Sequence, residues 1–293
     1  MERPQVDTLA KLQQHLDELP VLPVVLVGLL RADPKSESYF EDVERLVLSD
    51  PAFTTRILRY ANSAASAPSR PIVRVREALS RLGSAGAVNL ILASSAARVF
   101  VPRYEWSKAL WIHALGVAAL ARALAPLSRR QPRIDAEVAY VCGLLHDIGR
   151  FILYLESPEE LHRVDESDWS TPAELIAAER ALCGFTHAEL GGQAALKWGL
   201  PEGLAELILH HHEAPTPSTP APMARLMELI RAADWLDVSI AKRGGCDALT
   251  DSELLELIEK TDAMSGHDVD VALVNVIRRV LREATRLRGV LGL

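Results

Sequence analysis

The sharpest chemical feature of the sequence is an adjacent histidine and aspartate, His146 and Asp147, followed by Ile148 and Gly149. Adjacent side chains on a helix project about 100° apart, so both reach one ion only if it lies beyond the end of the helix. We expect Gly149 to free the chain to turn there. A neutral imidazole beside a carboxylate suits a divalent metal such as Mn, Fe, Mg or Zn.

Two ligands do not fill a coordination sphere, and further candidates recur on hydrophobic helices. They are His113, His187, the run His210, His211 and His212, and Asp234. Taken singly, such residues are more often core histidines, solvated helix ends or capping acids. A bare carboxylate in an apolar helix is costly to bury, and a metal would offset that cost. The ordered series therefore favours a site for one or two divalent ions, with the choice of two ligands among the three consecutive histidines left open.

Helices are the elements that must position these residues. Leu and Ala, which are strong helix formers, make up 85 of the 293 residues, and aromatic residues make up 5%. Periodicity, caps and breaks predict helices and no strand, so we expect an all-α protein. The predicted helices that carry or adjoin candidate ligands span 107–127, 135–147, 171–182, 187–198, 201–212 and 223–243.

The N-terminal part of the chain contains its own set of helical patterns. They cover 19–30, 36–48, 51–62, 73–82 and 86–100, and Pro102 breaks the last of them. We predict an N-terminal helical subdomain over 1–101 and a metal-site subdomain, which includes the C-terminal helices, over 102–293.

Charge and cysteine content argue against several classes of protein. The chain has 39 Asp and Glu against 32 Lys and Arg, which gives a net charge of −7. A general nucleic-acid binder needs a net basic face, so this class is disfavoured. Its three cysteines lack C-x-x-C spacing and fit a reducing compartment, so we expect a cytoplasmic protein. The longest apolar stretch, 109–127, is interrupted by His113 and Arg122, and we expect no membrane span.

Three N-terminal segments resemble the signature of HDOD domains, which are bacterial signalling output domains related to HD-GYP phosphodiesterases. The segments are Leu19-Pro-Val-Leu-Pro23, Asp50-Pro-Ala-Phe-Thr-Thr-Arg-Ile-Leu-Arg-Tyr-Ala-Asn62-Ser63 and Ala78-Leu-Ser-Arg-Leu-Gly83. The histidine and aspartate series is similar to the ligand set of the HD superfamily of metal-dependent phosphohydrolases. The resemblance covers residues 19–240 and implies an HD-domain-like helical bundle preceded by an N-terminal helical subdomain.

The resemblance also assigns the metal ligands position by position. Residues that match the HD pattern are His113, His146, Asp147, His187, His211, His212 and Asp234. Many HDOD domains have lost these ligands, whereas this chain retains them. Three positions depart from the HD-GYP pattern: a proline-rich segment at 214–222 replaces the Gly-Tyr-Pro loop, Arg150 replaces a lysine, and Ala109 stands where some relatives carry a glutamate for a third metal. We therefore expect neither cyclic di-GMP hydrolysis nor a three-metal site.

The resemblance implies a metal-dependent phosphohydrolase that acts on a nucleotide or another phosphoester. Asp147 would bridge two ions that activate a water molecule for attack on phosphorus. Arg150 would contact the substrate phosphate through its fork of donors, or would instead complement a helix C-terminus.

The alternative is a non-catalytic module that senses a nucleotide or binds another signalling protein, with a structural metal site. Four apolar residues that would line such a partner surface, or would more ordinarily pack in the core, are Ile57, Leu58, Ile91 and Leu92. An arginine stripe at 278, 282 and 286 would meet nucleic acid or an acidic partner, but a solvated face is the favoured interpretation.

Overall fold

The computed structural model describes residues 4–31, 36–62, 70–127, 132–167, 169–261 and 270–291. Every long element in these ranges is a helix and none is a strand, which confirms the predicted all-α class. The helices are α1 (Pro4–Asp17), α2 (Val24–Arg31), α3 (Tyr39–Leu48), α4 (Pro51–Ala61), α5 (Val75–Val99), α6 (Lys108–Leu124), α7 (Ala136–Leu145), α8 (Ile148–Glu156), α9 (Pro158–Asp165), α10 (Pro172–Leu182), α11 (His187–Lys197), α12 (Glu202–His210), α13 (Ala221–Ala241), α14 (Asp251–Glu259) and α15 (Val271–Leu291).

The chain divides into two compact units. The larger unit comprises Met1–Leu19 and Pro102–Thr285, and the smaller unit comprises Pro20–Val101 and Arg286–Leu293. The chain thus passes from the smaller to the larger unit at residues 101–102. All candidate metal ligands belong to the larger unit.

The smaller unit is built from α2 to α5. Ile57, Ile91 and Leu92 are almost completely buried, so these three residues pack in its core instead of lining an open surface. The Asn62 side chain donates to the Ile72 carbonyl and accepts from the Ile72 amide, both at 2.8 Å, and this ties the end of α4 to the segment before α5. The two helices predicted at 73–82 and 86–100 are both present as the two arms of α5, which bends sharply at Gly83, whose φ of 73° favours glycine.

Close helix contacts organise the larger unit, and α6 and α7 form one of its closest pairs. A Cβ on Gly143 of α7 would lie 2.8 Å from Ala118 Cα of α6, so glycine is required for this approach. Residues 108–127 and 136–156 are long and apolar enough to cross a membrane by composition alone. However, 61% and 83% of these stretches are buried inside the protein, so packing accounts for their apolar character.

Three helices were not predicted from the sequence: α1, α8 and α9. The expectation that Gly149 allows a turn at a helix end is wrong, because Gly149 is the second residue of α8. A Cβ at this position would overlap the His187 backbone and lie 2.9 Å from Gly191 N. Glycine is needed there because α8 and α11 cross at close range.

Two arginines of the stripe on α15 pair within the protein. Arg278 donates to the carbonyls of Cys246 and Leu249 and pairs with Asp251 at 3.0 Å. Arg282 pairs with Asp247 at 2.7 Å. The prediction of a solvated face is therefore wrong for Arg278, which anchors the segment before α14.

Candidate metal centre

The junction between α7 and α8 brings His146 and Asp147 to the centre of the larger unit. α7 ends at Leu145 and α8 begins at Ile148, and Asp147 leaves the helical path with φ −97° and ψ 21°. The His146 side chain is fully buried and that of Asp147 is 10% exposed. The helix break therefore directs an imidazole and a carboxylate into the interior from consecutive residues.

Helix ends supply three further histidines. His187 is the first residue of α11, whose start is fixed by a capping box in which Thr186 and Glu189 bond each other's backbone N–H. His211 and His212 follow the last residue of α12. Since helix ends leave the backbone free to change direction, these side chains can point toward Asp147.

The first group of candidate ligands, which we call the three-histidine site, comprises Asp147, His187, His211 and His212. Asp147 Oδ1 lies 3.1 Å from His187 Nε2 and 3.4 Å from His211 Nε2. His187 Nε2 lies 3.0 Å from His212 Nε2 and 3.3 Å from His211 Nε2. Several imidazole nitrogens therefore converge on one carboxylate oxygen.

The second group, which we call the two-histidine site, comprises His113, His146 and Asp234. His113 lies in α6 and Asp234 in α13, and His113 Nε2 is 3.3 Å from Asp234 Oδ1. Asp147 connects the two groups, because its second oxygen, Oδ2, lies 3.7 Å from His113 Nε2. Asp147 therefore presents one oxygen to each group.

Two buried polar atoms of the cluster indicate whether its residues fit a metal ion. His146 Nε2 and Asp147 Oδ1 are buried and have no partner in hydrogen-bond geometry among the described residues, although His187 Nε2 lies 3.1 Å from Asp147 Oδ1. Buried polar atoms without partners are rare in folded proteins, since each costs about 1–3 kcal/mol. Imidazole nitrogens and carboxylate oxygens are ligands for divalent transition metals. A metal ion would satisfy both orphaned atoms, so the residues fit a divalent ion.

The outward-facing ring nitrogens are already engaged. The Nδ1 atoms of His146 and His211 lie 2.8 Å and 2.7 Å from the carbonyls of Gly143 and Ile208, to which they donate. His187 Nδ1 donates to the Glu179 carboxylate at 2.7 Å, and His113 Nδ1 donates to Asp237 Oδ2 at 2.8 Å. Such partners fix the tautomer so that Nε2 is free to bind metal.

The electrostatics keep several of these groups in the form that binds metal. Burial lowers the pKa of His146 to about 4, and burial together with the neighbouring imidazoles lowers that of His212 to about 2, so both rings are neutral at pH 7. Burial opposes ionisation of Asp147, but His146 and His187 outweigh it and hold its pKa well below the ordinary value.

His187 and His113 have the opposite tendency. Burial disfavours the charged ring of His187, but Glu179 and Asp147 overcome it and raise the pKa to about 10. Burial also disfavours the charged ring of His113, but hydrogen bonds to Asp234 and Asp237 outweigh it and raise the pKa of His113 well above its usual value. A metal ion binding at these two nitrogens must therefore displace protons.

The remaining site candidates lie at the edge of the cluster. His210 pairs with Glu213 at 3.1 Å and belongs to neither group, so the structure brings together His211 and His212. Arg150 lies in the first turn of α8, and its buried guanidinium pairs with Asp165. The interpretation of Arg150 as a charge at a helix C-terminus is wrong. Its contact with a substrate phosphate stays a prediction.

Glu179 and Asp237 were not identified as parts of the site from the sequence. Asp237 carries a weak signal, because it stands three residues after Asp234 on the same helix face. Glu179 carries none, since a glutamate near a helix end is ordinary, and only the approach of α10 to the start of α11 gives it a role. It is fully buried, and its carboxylate also accepts from the His187 backbone N–H at 2.9 Å.

The helical fold and the His/Asp cluster define an HD-type domain. The sequence profile of the HDOD domain matches residues 19–214, and the chain belongs to this family. A curated, uncharacterized protein of Treponema pallidum (strain Nichols) is 29% identical over 208 residues, or 70% of this chain. The match spans only 40% of that relative's length.

Solved structures share the fold along nearly the whole chain. An HDOD domain protein of unknown function from Geobacter sulfurreducens is 24% identical with a TM-score of 0.69, and covers 97% of this chain and 99% of its own. A protein from Shewanella amazonensis SB2B, named provisionally as a phosphohydrolase, is 24% identical with a TM-score of 0.71, and covers 96% and 98%. Identities this low establish the fold alone.

Proposed function

We propose that this protein is a metal-dependent phosphohydrolase of a bacterial signalling system, acting on a nucleotide or another phosphoester. The observation that carries the proposal is Asp147, whose two carboxylate oxygens face the two ligand groups from a buried helix break. A divalent ion bound there supplies Lewis-acid polarisation of a phosphoryl oxygen and lowers the pKa of a water molecule. Mn, Fe, Mg and Zn are all compatible with the donor set.

The residues of the chain determine how a substrate reaches this centre. His146, His187 and His211 are completely buried, whereas His113 is 21% exposed and His212 and Asp234 are each 13% exposed. A phosphoester therefore approaches over the His113, Asp234 and His212 edge. The opposite edge, formed by the buried histidines, is closed to water. The exclusion of water strengthens electrostatic interactions within the cluster.

The test is hydrolysis of an activated diester, bis(4-nitrophenyl) phosphate, by protein loaded with Mn²⁺, Fe²⁺ or Zn²⁺. We expect slow release of nitrophenolate above background, because metal-assisted hydrolysis of an activated ester needs no specific substrate loop. Asp147→Ala and a chelator should each abolish it. Activity that survives Asp147→Ala would identify a contaminating phosphatase and contradict the proposal.

Cyclic di-GMP serves as the matched comparison substrate. Residues 214–222 are proline-rich and replace the Gly-Tyr-Pro loop of HD-GYP enzymes, so we expect it to be a poor substrate. Rapid turnover that disappears in Asp147→Ala would show that this loop is dispensable.

A second candidate function is a non-catalytic module with a structural metal. One observation favours it: the Arg150 guanidinium, the cation nearest in sequence to His146-Asp147, is buried and already paired with Asp165. Metal-loaded protein that hydrolyses no phosphoester but binds a nucleotide or a signalling protein would support this alternative.

A further inference from the structure

The two ligand groups are oriented by different buried carboxylates. In the three-histidine site, Glu179 on α10 accepts from His187 Nδ1 at 2.7 Å. In the two-histidine site, Asp237 on α13 accepts from His113 Nδ1 at 2.8 Å. Asp237 and Glu179 are absent from both groups of convergent ligand atoms, so each stands behind a ligand.

Asp237 reaches His113 only because of a glycine on the facing helix. Gly116 lies in α6 one turn after His113, and it is buried. A Cβ built on Gly116 would overlap Asp237 Oδ1 and lie 2.8 Å from Asp237 Cγ. Since no real Cβ approaches a carboxylate so closely, the absence of a side chain at this position creates the space that the carboxylate fills.

We propose that Asp237 is a positioning residue for the two-histidine site and that Gly116 is required to admit it. The Asp237 carboxylate holds the His113 ring with Nδ1–H outward, so that Nε2 faces Asp234 and Asp147 at 3.3 Å and 3.7 Å. Glu179 does the same for His187 and thus for the other site. Each ion site is therefore controlled by its own carboxylate, and the two can be weakened separately. This inference rests on the proposed metal site but not on hydrolysis.

The experiment is calorimetric titration of chelator-treated protein with Mn²⁺ alone. Loss of a partner that orients a metal ligand weakens metal affinity by about 10–100-fold. We expect a loss of this size in Asp237→Ala and in Gly116→Ala, confined to one binding step. Asp237→Asn should lose less, because the amide oxygen still accepts from Nδ1–H. Glu179→Ala is the matched control and should weaken the other binding step.

The double variant Gly116→Ala/Asp237→Ala separates this role from a general packing defect. Removing the carboxylate vacates the space that the new methyl group on α6 would need. The double variant should therefore have a higher Tm than Gly116→Ala alone. Its Mn²⁺ affinity should equal that of Asp237→Ala, because both changes act through one hydrogen bond. Additive losses of affinity, or unchanged affinity in Asp237→Ala, would overturn the inference.

The outcomes are also distinguishable from failure of the proposed function. Wild-type protein that binds Mn²⁺ but hydrolyses nothing would contradict the hydrolase and leave the positioning role intact. Wild-type protein that binds no Mn²⁺ would overturn both.

Discussion

At the scale of single residues, Asp147 is the group on which the site depends. Its Oδ1 lies within 3.6 Å of Nε2 atoms from His146, His187 and His211, and its Oδ2 faces His113. The carboxylate thus faces both ligand groups, and it is the one carboxylate of the three-histidine site.

We predict that Asp147→Ala abolishes binding of divalent metal to both groups. The change removes the one oxygen donor of the three-histidine site and the bridge to the two-histidine site. Elemental analysis of protein purified without chelator should give about one to two metals per wild-type chain and none in the variant. Circular dichroism should show the helices retained. Undiminished metal in Asp147→Ala would place the metal elsewhere.

At the scale of elements, the crossing of α8 over α11 sets the positions of Asp147 and His187. The Asp147 backbone leads directly into α8, and His187 begins α11. Gly149 and Gly191 face each other at this crossing, where a Cβ on Gly191 would lie 3.0 Å from Gly149 N. Their lack of side chains lets the two helices bring the carboxylate and the imidazole within 3.1 Å.

We predict that Gly149→Ala destabilises the protein by about 1–3 kcal/mol or more and weakens metal binding, because the new methyl group would force α8 away from the His187 backbone. Denaturant unfolding of the metal-free protein and Mn²⁺ titration measure the two effects.

Gly203→Ala on α12 is the control for this change. The nearest atom to a Cβ there is Met223 Cε at 3.8 Å, which is ordinary contact, and alanine is the better helix former. Equal losses of stability in the two variants would show that close helix approach is not what Gly149 provides.

At the scale of the whole molecule, the metal centre joins helices that are far apart in sequence. Its candidate ligands come from α6, the α7–α8 junction, α11, the end of α12, and α13. A bound ion would therefore hold most of the larger unit together, and would also satisfy the orphaned atoms of His146 and Asp147.

We predict that removing the metal lowers the thermal stability of the protein. A ligand present at 100 times its dissociation constant stabilises the folded state by about 2.7 kcal/mol. For a domain of this size that corresponds to a fall in Tm of roughly 5–10 °C. Scanning calorimetry with and without chelator measures it. The Tm of Asp147→Ala should not change on addition of chelator. If the Tm of the wild type is equally unchanged, a bound metal does not stabilise the fold.

The sequence by itself determined the fold class and the candidate ligands. Helix formers dominate the chain, and capping boxes of Thr171 with Glu174 and Thr250 with Glu253 begin α10 and α14. These features are local, so they can be read from spacing alone. The same holds for His187, which was expected at the start of a helix and lies there.

Only the tertiary structure decided which side chains meet. It divided the candidate ligands into two groups, and it placed Glu179 and Asp237 behind two of the histidines, a role that their sequences barely indicate. It also showed that Gly149 serves a helix crossing and not a turn. These outcomes depend on distances between elements remote in sequence, and such distances are set by packing, which the local pattern of a chain does not contain.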